Sequence, residues 1–398
     1  MTGRRRVTTA SPPAFSHATP AFRTFCGDRA MAALPRELQR TGRARVVLVH
    51  GASVGRDEPA IGRVRQAVGD RLVGAFTEVR AHSPVPTVEA ASRYLAEVGA
   101  DAVIAVGGGS AVVTARAASI LLAERAPLRQ LCTSRAADGS LHSPRLLEPK
   151  IPQWILPTTP TTAYAKAGSA VRDPETGERL ALFDPKTRAQ GVFLDPAMIA
   201  TTPQPLFLSA TLNAFSMAVE GLQAPLDDPL TDALALHALR EIAVWGPRSV
   251  ASPVDPEPRL RLMSAALLAG QASDHSGSGL AQALSHAVGP AFDVSNGIIE
   301  SILLPHAMRF NAPACAPGLR KVAEALGRDP DEAPAEAATC AVTSVLGKLN
   351  APVRLRDVGI AREDLDSIVD HALDDWSLSQ APRRPSRTEL QELLRSAW

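Results

Sequence analysis

Three consecutive glycines and a serine are the first residues whose type and spacing suggest chemistry. Gly107, Gly108, Gly109 and Ser110 stand in VIAVGGGSAVVTARA, between an apolar β-branched run and a helical pattern. Glycines let a backbone approach a ligand closely, and the free N–H groups at the start of a helix attract a phosphate group. Ser110 is placed to cap that helix or to contact the phosphate. The alternative is a tight strand–helix turn without a ligand, because the stretch is neither a spaced GxGxxG nor a Walker loop.

Two further groups carry ionisable side chains. Asp274 and His275 form a candidate acid–base pair in ASDHSGSG. Adjacent residues of a helix point apart, so we interpret this pair as mostly structural or loop-exposed. His50 ends an apolar run, where it either lines the edge of a cofactor site or lies exposed in a loop.

The elements that must position these residues change type along the chain. Apolar runs at 43–51, 101–110, 153–160 and 191–196 alternate with helical patterns at 87–100 and 111–124. This alternation predicts an α/β domain with a parallel sheet. Only helical patterns follow Pro203 and Pro205, which predicts an all-α second domain. We therefore predict a flexible tail over 1–20, rich in Ser, Thr and Pro, an α/β domain over 21–205 and an α-helical domain over 206–398.

The composition indicates a globular protein and excludes several classes of partner. The 398 residues carry a net charge of +1, which gives no bulk attraction for nucleic acid. No run approaches the about 18 apolar residues of a membrane helix. The four cysteines are far apart and form no CxxC pair, so a zinc site or a disulfide framework is not predicted. We expect a cytoplasmic location, without a membrane or nucleic-acid partner.

Several stretches together resemble the iron-containing (group III) alcohol dehydrogenase superfamily. They are VGGGSAVVTARA, LPTTPTTA, VFLDPAMIATTP, TLNAFSMAVEGLQAP and ESILLPHAMRFN, in family order. The resemblance implies a dehydroquinate synthase-like architecture, with an N-terminal dinucleotide-binding domain, a C-terminal helical domain and an active site in the cleft between them. It also implies a small-molecule substrate and a homodimer. Within the superfamily, LNAFSMAVEGLQAP and LPHAMRFNAPA are most similar to maleylacetate reductases, which use NADH or NADPH to reduce a carbon–carbon double bond in an oxo-dienedioate.

The metal ligands of the superfamily are replaced. The family holds its ion with one Asp and three His, and the matching positions here are Asn213, Met217, Gln282 and Asn296. Amide oxygens and a thioether are poor ligands for Fe²⁺ or Zn²⁺. We therefore predict no catalytic metal, with these positions lining the substrate cleft.

Hydrogen-bond donors would then have to replace the Lewis acid. His286 matches the second histidine of the family's HxxxH, near substrate and nicotinamide, and is our first candidate for proton donor or oxyanion partner. Gln282 lies one helical turn earlier, and the amides of Asn213 and Asn296 could also donate. Tyr164 is the second catalytic candidate, as a phenol acid or as a space-filling side chain beside the nicotinamide. For His306, in LLPHAMRFN, we expect a role in helix packing.

The resemblance places the cofactor on Gly107–Ser110 and on the hydroxyls of Thr158, Thr159, Thr161 and Thr162. Gly51 stands where many NAD-using members have an aspartate that binds the ribose. Without that carboxylate a 2′-phosphate is not repelled, and Arg56 could pair with one. The choice between NADH and NADPH stays open.

Three functions follow as hypotheses. The first is a metal-independent, NAD(P)H-dependent reductase related to maleylacetate reductases, which delivers hydride to an unsaturated or carbonyl substrate. The second is a non-redox enzyme of specialised metabolism, such as a cyclase, dehydratase or isomerase, that reuses a cleft made more apolar by Met217, Ala163 and Ala165. The third is an inactive partner or scaffold protein.

Overall fold

The computed structural model describes residues 15–136, 140–330 and 333–398. The strands are β1 (Arg23–Cys26), β2 (Val46–Val49), β3 (Leu72–Phe76), β4 (Ala102–Gly107), β5 (Ser134–Arg135), β6 (Leu141–His142), β7 (Gln153–Pro157), β8 (Gly168–Arg172), β9 (Arg179–Phe183) and β10 (Gly191–Leu194). The helices are α1 (Leu34–Arg40), α2 (Ala52–Gly55), α3 (Glu58–Val68), α4 (Val85–Glu97), α5 (Gly109–Glu124), α6 (Leu128–Leu131), α7 (Pro196–Ala200), α8 (Gln204–Gln223), α9 (Pro229–Ala251), α10 (Pro256–Ser276), α11 (Leu280–Phe292), α12 (Asn296–Ala325), α13 (Pro334–Lys348), α14 (Leu365–Leu373) and α15 (Arg387–Ala397). Short 3₁₀ turns include Thr162–Ala165 and Trp376–Gln380.

A six-stranded parallel sheet forms the first half of the chain, in the order β1-β10-β7-β4-β2-β3. Alternate residues of each strand enter different apolar clusters. In β2, Val46 and Leu48 pack with α1 and α3, whereas Val47 and Val49 pack with α4 and α5. Helices therefore cover both faces of the sheet, which explains why the central strands consist of continuous apolar runs. The predicted fold class, a parallel α/β domain followed by an all-α domain, is confirmed.

Two strands of this sheet and a hairpin lack the signal on which the strand predictions relied. β1 is short and mostly exposed, and β3 contains Gly74 and is only partly buried, so neither is a continuous apolar run. β8 and β9 form an antiparallel hairpin in which Arg172 pairs with Arg179. This hairpin lies outside the main sheet, and its Arg179 lines a cavity between the two halves of the chain.

The helical half begins with α8 at Gln204, close to the boundary expected at residue 205. α12 crosses α8 at very short range. A Cβ on Gly297 would lie 1.9 Å from the Ser209 carbonyl oxygen and 2.9 Å from the Asn213 amide nitrogen, so only glycine permits this approach. The crossing places Asn296 at the N-terminus of α12 beside Asn213 of α8.

The N-terminal segment extends partly beyond the described residues. Residues 1–14 of the predicted flexible tail lie outside them. His17 contacts Asp228 through Nδ1 and Oδ2 at 2.6 Å, and its ring stacks on His275 at 3.9 Å. The end of the segment therefore packs against the helical half. Among the helices of the described residues, none is long and apolar enough to cross a membrane.

Candidate active site

The glycine turn joins β4 to α5 and lines a cavity of about 580 Å³. Gly107 has φ of +137°, a conformation that L-residues with side chains rarely adopt. Gly108 caps α5 without a side-chain hydrogen bond, so backbone N–H groups of the first turn stay available to a ligand. A Cβ at Gly108 would lie 3.1 Å from Thr159 Oγ1, and one at Gly109 would lie 3.0 Å from Thr161 Oγ1. The turn is thus a tight cradle for an anionic group.

The structure differs from the sequence-based predictions at two of the expected cofactor-binding residues, Ser110 and Thr162. The helix begins at Gly109 and its N-cap is Gly108, so Ser110 lies in the first turn and the prediction that it caps the helix is wrong. Ser110, Thr158 and Thr159 do line the cavity, which we call the glycine-turn cavity. Thr162 does not, because it faces the neighbouring cavity.

A second cavity of about 560 Å³ contains most of the predicted catalytic and cleft residues. His286, Gln282 and Met217 line it, and we call it the His286 cavity. Asn213 and Asn296 line both cavities, so the two adjoin at these amides. The arrangement joins a turn with free backbone N–H groups to a pocket with an imidazole and several amides.

Both ring nitrogens of His286 have partners. Nδ1 lies 2.8 Å from Asp375 Oδ2, and Nε2 lies 2.7 Å from Gln282 Nε2. A carboxylate accepts, so Nδ1 carries the proton and Nε2 accepts a hydrogen bond from the Gln282 amide. Burial, together with the charge of Arg179, lowers the pKa of His286 despite the attraction of Asp375. The imidazole is therefore neutral at pH 7 and holds a lone pair on Nε2 toward Gln282.

A buried carboxylate lies behind the amides. Asn213 Nδ2 donates to both Glu300 oxygens at 2.9 Å, and Ser285 Oγ donates to Glu300 Oε1 at 3.0 Å. Burial, together with the neighbouring charge of Glu220, raises the pKa of Glu300 to about 8. Asn213 Nδ2 also lies 3.4 Å from Gln282 Oε1, so one network runs from Glu300 to Asp375.

Glu220 of α8 positions the helix that carries His286. It accepts hydrogen bonds from the backbone N–H groups of Ala281 at 2.6 Å, Gly279 at 3.2 Å and Gln282 at 3.3 Å. α11 starts after Gly279 and has no side-chain cap of its own. A distant carboxylate thus satisfies the N-terminus of α11 and fixes the direction in which Gln282 and His286 point.

The four positions that we predicted to match the family's metal ligands meet in space, and their side chains are poor ligands for such an ion. Asn213, Asn296, Gln282 and Met217 all line the His286 cavity and offer amides and a thioether. The Asn213 amide nitrogen donates to Glu300, and Asn296 Oδ1 is buried with no hydrogen-bond partner in the described part of the chain. Over the part of the chain that the structure describes, no group of three His, Cys, Asp or Glu side chains is arranged to hold a metal. This donor set is unsuited to Fe²⁺ or Zn²⁺.

Four functional candidates were not predicted from the sequence. Lys166 and Arg179 line the His286 cavity, Asp375 pairs with His286, and the Trp376 ring lies 5.2 Å from the His286 ring. Burial lowers the pKa of Lys166 to about 8, because the attraction of Asp274 and Glu300 only partly offsets it. A basic residue at the end of the Thr-rich loop was the only available signal for Lys166. Nothing local points to Asp375, which lies 89 residues from His286 in sequence.

Tyr164 lies outside both cleft cavities. Its side chain is fully buried, and its hydroxyl donates to the Thr159 carbonyl oxygen at 3.1 Å. It lines a separate, mostly apolar cavity of about 380 Å³ beside His17 and His275. Burial raises the pKa of the phenol well above its usual value. The geometry therefore does not favour Tyr164 as the catalytic acid.

The remaining candidates lie at the edges of the site or outside it. Arg56 is exposed and does not line the glycine-turn cavity, whereas Gly51, Asp57 and Arg80 do. His50 is buried at the end of β2, where Nδ1 lies 3.1 Å from the Gly51 carbonyl oxygen. Arg80 is therefore better placed than Arg56 to pair with a 2′-phosphate.

His306, Asp274 and His275 make contacts between helices or with the N-terminal segment and the α/β half. Nδ1 of His306 lies 2.9 Å from Ser396 Oγ of α15. Asp274 forms an ion pair with Arg188 at 2.5 Å, and His275 stacks on His17. Asp274 and His275 belong to α10 and face the Tyr164 cavity rather than the cleft.

The two halves of the chain match two family models. Residues 20–196 match iron-containing alcohol dehydrogenase, and residues 207–398 match the C-terminal part of the Fe-containing alcohol dehydrogenase family. A lactaldehyde reductase of Escherichia coli strain K12 is 30% identical over 323 residues, which cover 79% of this chain and 82% of the relative. Maleylacetate reductase 1 of Cupriavidus pinatubonensis is 28% identical over 380 residues, which cover 94% of this chain and 95% of the relative.

Solved structures share the fold over nearly the whole chain. An alcohol dehydrogenase from Oenococcus oeni superposes with a TM-score of 0.87 at 21% identity, covering 97% of this chain and 100% of that one. A maleylacetate reductase from Agrobacterium tumefaciens superposes with a TM-score of 0.78 at 23% identity, covering 98% and 99%.

Proposed function

The chain belongs to the iron-containing alcohol dehydrogenase family, and from this premise we propose that it is an NAD(P)H-dependent reductase that works without a catalytic metal. Its substrate is an unsaturated or carbonyl compound that binds in the cleft between the two halves. The observation that carries the proposal is the junction of the two cavities at Asn213 and Asn296. An intact anion cradle adjoins a pocket whose metal-ligand positions hold amides and a thioether.

The glycine-turn cavity supports dinucleotide binding by this chain's own groups. Backbone N–H groups at the start of α5 suit a pyrophosphate, and the Thr158 and Thr159 hydroxyls lie in the same lining. Asp57 and Arg80 also line it, and they favour opposite cofactors. A carboxylate binds a ribose 2′-hydroxyl, whereas a guanidinium binds a 2′-phosphate. Both NADH and NADPH are therefore retained in the proposal.

Bound nicotinamide would supply the hydride, and the proton must come from the protein. Lys166 is half-buried in the His286 cavity and has no carboxylate within ion-pair distance among the described residues. With a pKa of about 8 it is mostly protonated at pH 7, so it is suited to protonate the product. His286, neutral and held by Asp375 and Gln282, orients the Gln282 amide, and Lys166 supplies the proton.

The cofactor test is a fluorescence titration with NADH and with NADPH. We expect saturable binding of at least one, and at least tenfold weaker binding by Gly108→Val, because a Cβ there meets Thr159 Oγ1 at 3.1 Å. Gly62→Val is the matched control, since nothing lies within 4 Å of its Cβ. Absence of binding of both nucleotides to the wild type overturns the proposal. Turnover of a substrate without any nicotinamide would favour the non-redox enzyme instead.

The metal test compares the wild type with a restored ligand set. We expect the wild type to contain no stoichiometric iron or zinc and to keep its activity in EDTA. The quadruple variant Asn213→Asp, Met217→His, Gln282→His, Asn296→His should bind one divalent ion, measured by elemental analysis. Loss of wild-type activity in EDTA with recovery on adding Zn²⁺ or Fe²⁺ would contradict metal independence.

Two further expectations belong to this proposal. We propose a homodimer, for which sedimentation should give twice the chain mass of 41.9 kDa. We also propose a cytoplasmic location, tested by cell fractionation. All four cysteines are free in the structure, which fits a reducing compartment.

A further inference from the structure

The His286 cavity has an uneven distribution of charge. Its charged side chains among the described residues are Lys166 and Arg179, and no described Asp or Glu lines it. Much of the remaining lining is apolar, with Leu141, Leu182, Phe183, Met217 and Trp376. A ligand that fits this lining has an apolar carbon skeleton and a negative charge.

Arg179 has a hydrogen-bond donor that is not used within the described part of the protein. It starts β9, and its Nη1 is buried without a hydrogen-bond partner among the residues that the structure describes. Asp375 and Glu300 attract it electrostatically, but neither forms an ion pair with it, and their hydrogen bonds go to His286, Ser377, Asn213 and Ser285. Leaving a buried guanidinium donor unpaired costs free energy, so an arrangement of this kind is expected where a ligand supplies the acceptor.

The hairpin directs Arg179 into the cavity. Arg172 lies opposite Arg179 in the β8–β9 register, yet Arg172 lines only the neighbouring cavity, whereas Arg179, His286 and Trp376 line both. Only one of the two arginines thus reaches the pocket that holds Gln282 and Lys166.

We propose that the substrate carries a carboxylate and that Arg179 binds it, which makes Arg179 the residue that selects acidic substrates. A guanidinium donates two parallel N–H bonds to a carboxylate, so it orients the ligand as well as holding it. With the carboxylate anchored at β9, Lys166 stays free for the reacting end of the molecule. The inference rests on the proposed reductase function because it names the substrate class of the same cleft.

Calorimetry with a matched pair of probes, hexanoate and hexanamide, tests the inference without requiring turnover. The protein is titrated with and without NADPH. We expect hexanamide to bind the wild type at least tenfold more weakly than hexanoate. Arg179→Met should weaken hexanoate binding by about 10- to 100-fold, the usual loss for a charge-assisted hydrogen bond, and hexanamide binding by less than about threefold.

Two controls separate a structural role from a binding role. Arg172→Met removes the same charge from the other strand and should change hexanoate binding by less than about threefold. Arg179→Lys keeps the positive charge but lacks the planar pair of N–H donors, and it should retain part of the affinity for hexanoate. The melting temperature of each variant reports whether it folds.

Three outcomes overturn the inference: equal binding of hexanoate and hexanamide, unchanged hexanoate binding in folded Arg179→Met, or tighter, Lys166-dependent binding of hexyl phosphate. If NADPH binds but hexanoate does not, the inference fails while the proposed function stands. If hexanoate binds through Arg179 but neither nicotinamide nucleotide binds, the proposed function fails and the anion site remains.

Discussion

His286 depends on partners that set which of its nitrogens carries the proton. Asp375 accepts from Nδ1 at 2.8 Å and is itself held by the Ser377 N–H at 2.8 Å. Nε2 therefore faces Gln282 as a lone pair. The residue that looks catalytic from the sequence thus acquires its tautomer from a side chain in a different part of the helical half.

Replacing Asp375 by Asn should reverse the tautomer of His286. The new amide can donate to Nδ1, which moves the imidazole proton to Nε2 and disrupts the bond to Gln282. We expect kcat to fall by about 10- to 100-fold, as for other residues that orient a catalytic group, and the pH profile of kcat to shift. Asp374→Asn, at an exposed neighbouring position, is the control. Equal kinetics and equal pH profiles in the two variants would show that Asp375 does not position His286.

Lys166 should control the proton delivered in the reduction. Its pKa of about 8 means that the ammonium is lost as pH rises through about 8, so kcat for reduction should decline there and kcat for oxidation should rise. Lys166→Met should lower kcat by about 10²- to 10⁴-fold and abolish this pH dependence. The surface variant Lys348→Met should behave as the wild type. A Lys166→Met enzyme that keeps the alkaline decline would assign it to another group.

At the scale of secondary-structure elements, helix ends and one hairpin determine where the chemistry lies. α5 presents its N-terminus to the glycine-turn cavity, and α11 presents Gln282 and His286 to the next cavity. The β8–β9 hairpin adds Arg179. Long-range contacts anchor these elements, as Glu220 of α8 does for the N-terminus of α11.

Glu220→Ala should loosen α11. The change leaves the Gly279, Ala281 and Gln282 N–H groups without their acceptor, at a cost of about 1–3 kcal/mol for buried unsatisfied donors. We expect a lower free energy of unfolding by urea and a raised KM, because Gln282 and His286 move with the helix. Glu336→Ala, at the exposed start of α13, should change the free energy by less than about 0.5 kcal/mol. A Glu220→Ala protein as stable as this control would rule out the anchoring role.

For the whole molecule, the two buried carboxylates link stability to pH. Burial raises the pKa of Glu220 to about 7 and that of Glu300 to about 8. Between the usual carboxyl pKa of about 4.5 and these values, the folded protein holds protons that the unfolded chain has released. This contribution to the free energy of unfolding therefore decreases as pH rises through that range.

Glu300→Gln should reduce the decrease of the free energy of unfolding with rising pH. The amide is uncharged at every pH, so the variant loses the part of the pH dependence that Glu300 causes, while the Glu220 part below about pH 7 remains. Urea unfolding at pH 5, 6, 7 and 8 measures the slope. Glu58→Gln is the control, since its side chain is 68% exposed and should leave the slope unchanged. An identical slope in Glu300→Gln would contradict the raised pKa.

Much of the architecture follows from local pattern. Apolar runs ending in glycine marked β2 and β4, and helical periodicity after Pro203 marked the second half, because these signals depend only on near neighbours in the chain. β1 was missed because it is short and mostly exposed, and β3 because Gly74 interrupts it. The β8–β9 hairpin was missed because its strands alternate buried and less buried residues and so form no continuous apolar run. The types of residue at the four metal-ligand positions are likewise a property of the sequence alone.

Only the tertiary structure decided which side chains share the cleft. It buried Tyr164 against Thr159, left Arg56 on the surface and brought Lys166, Arg179 and Asp375 to His286. Sequence spacing determines neighbours within one helix or strand, whereas contacts between elements arise from packing whole faces together. The glycine turn and the residue types at Asn213, Met217, Gln282 and Asn296 could therefore be predicted from the sequence, whereas the charged residues of the His286 cavity could not.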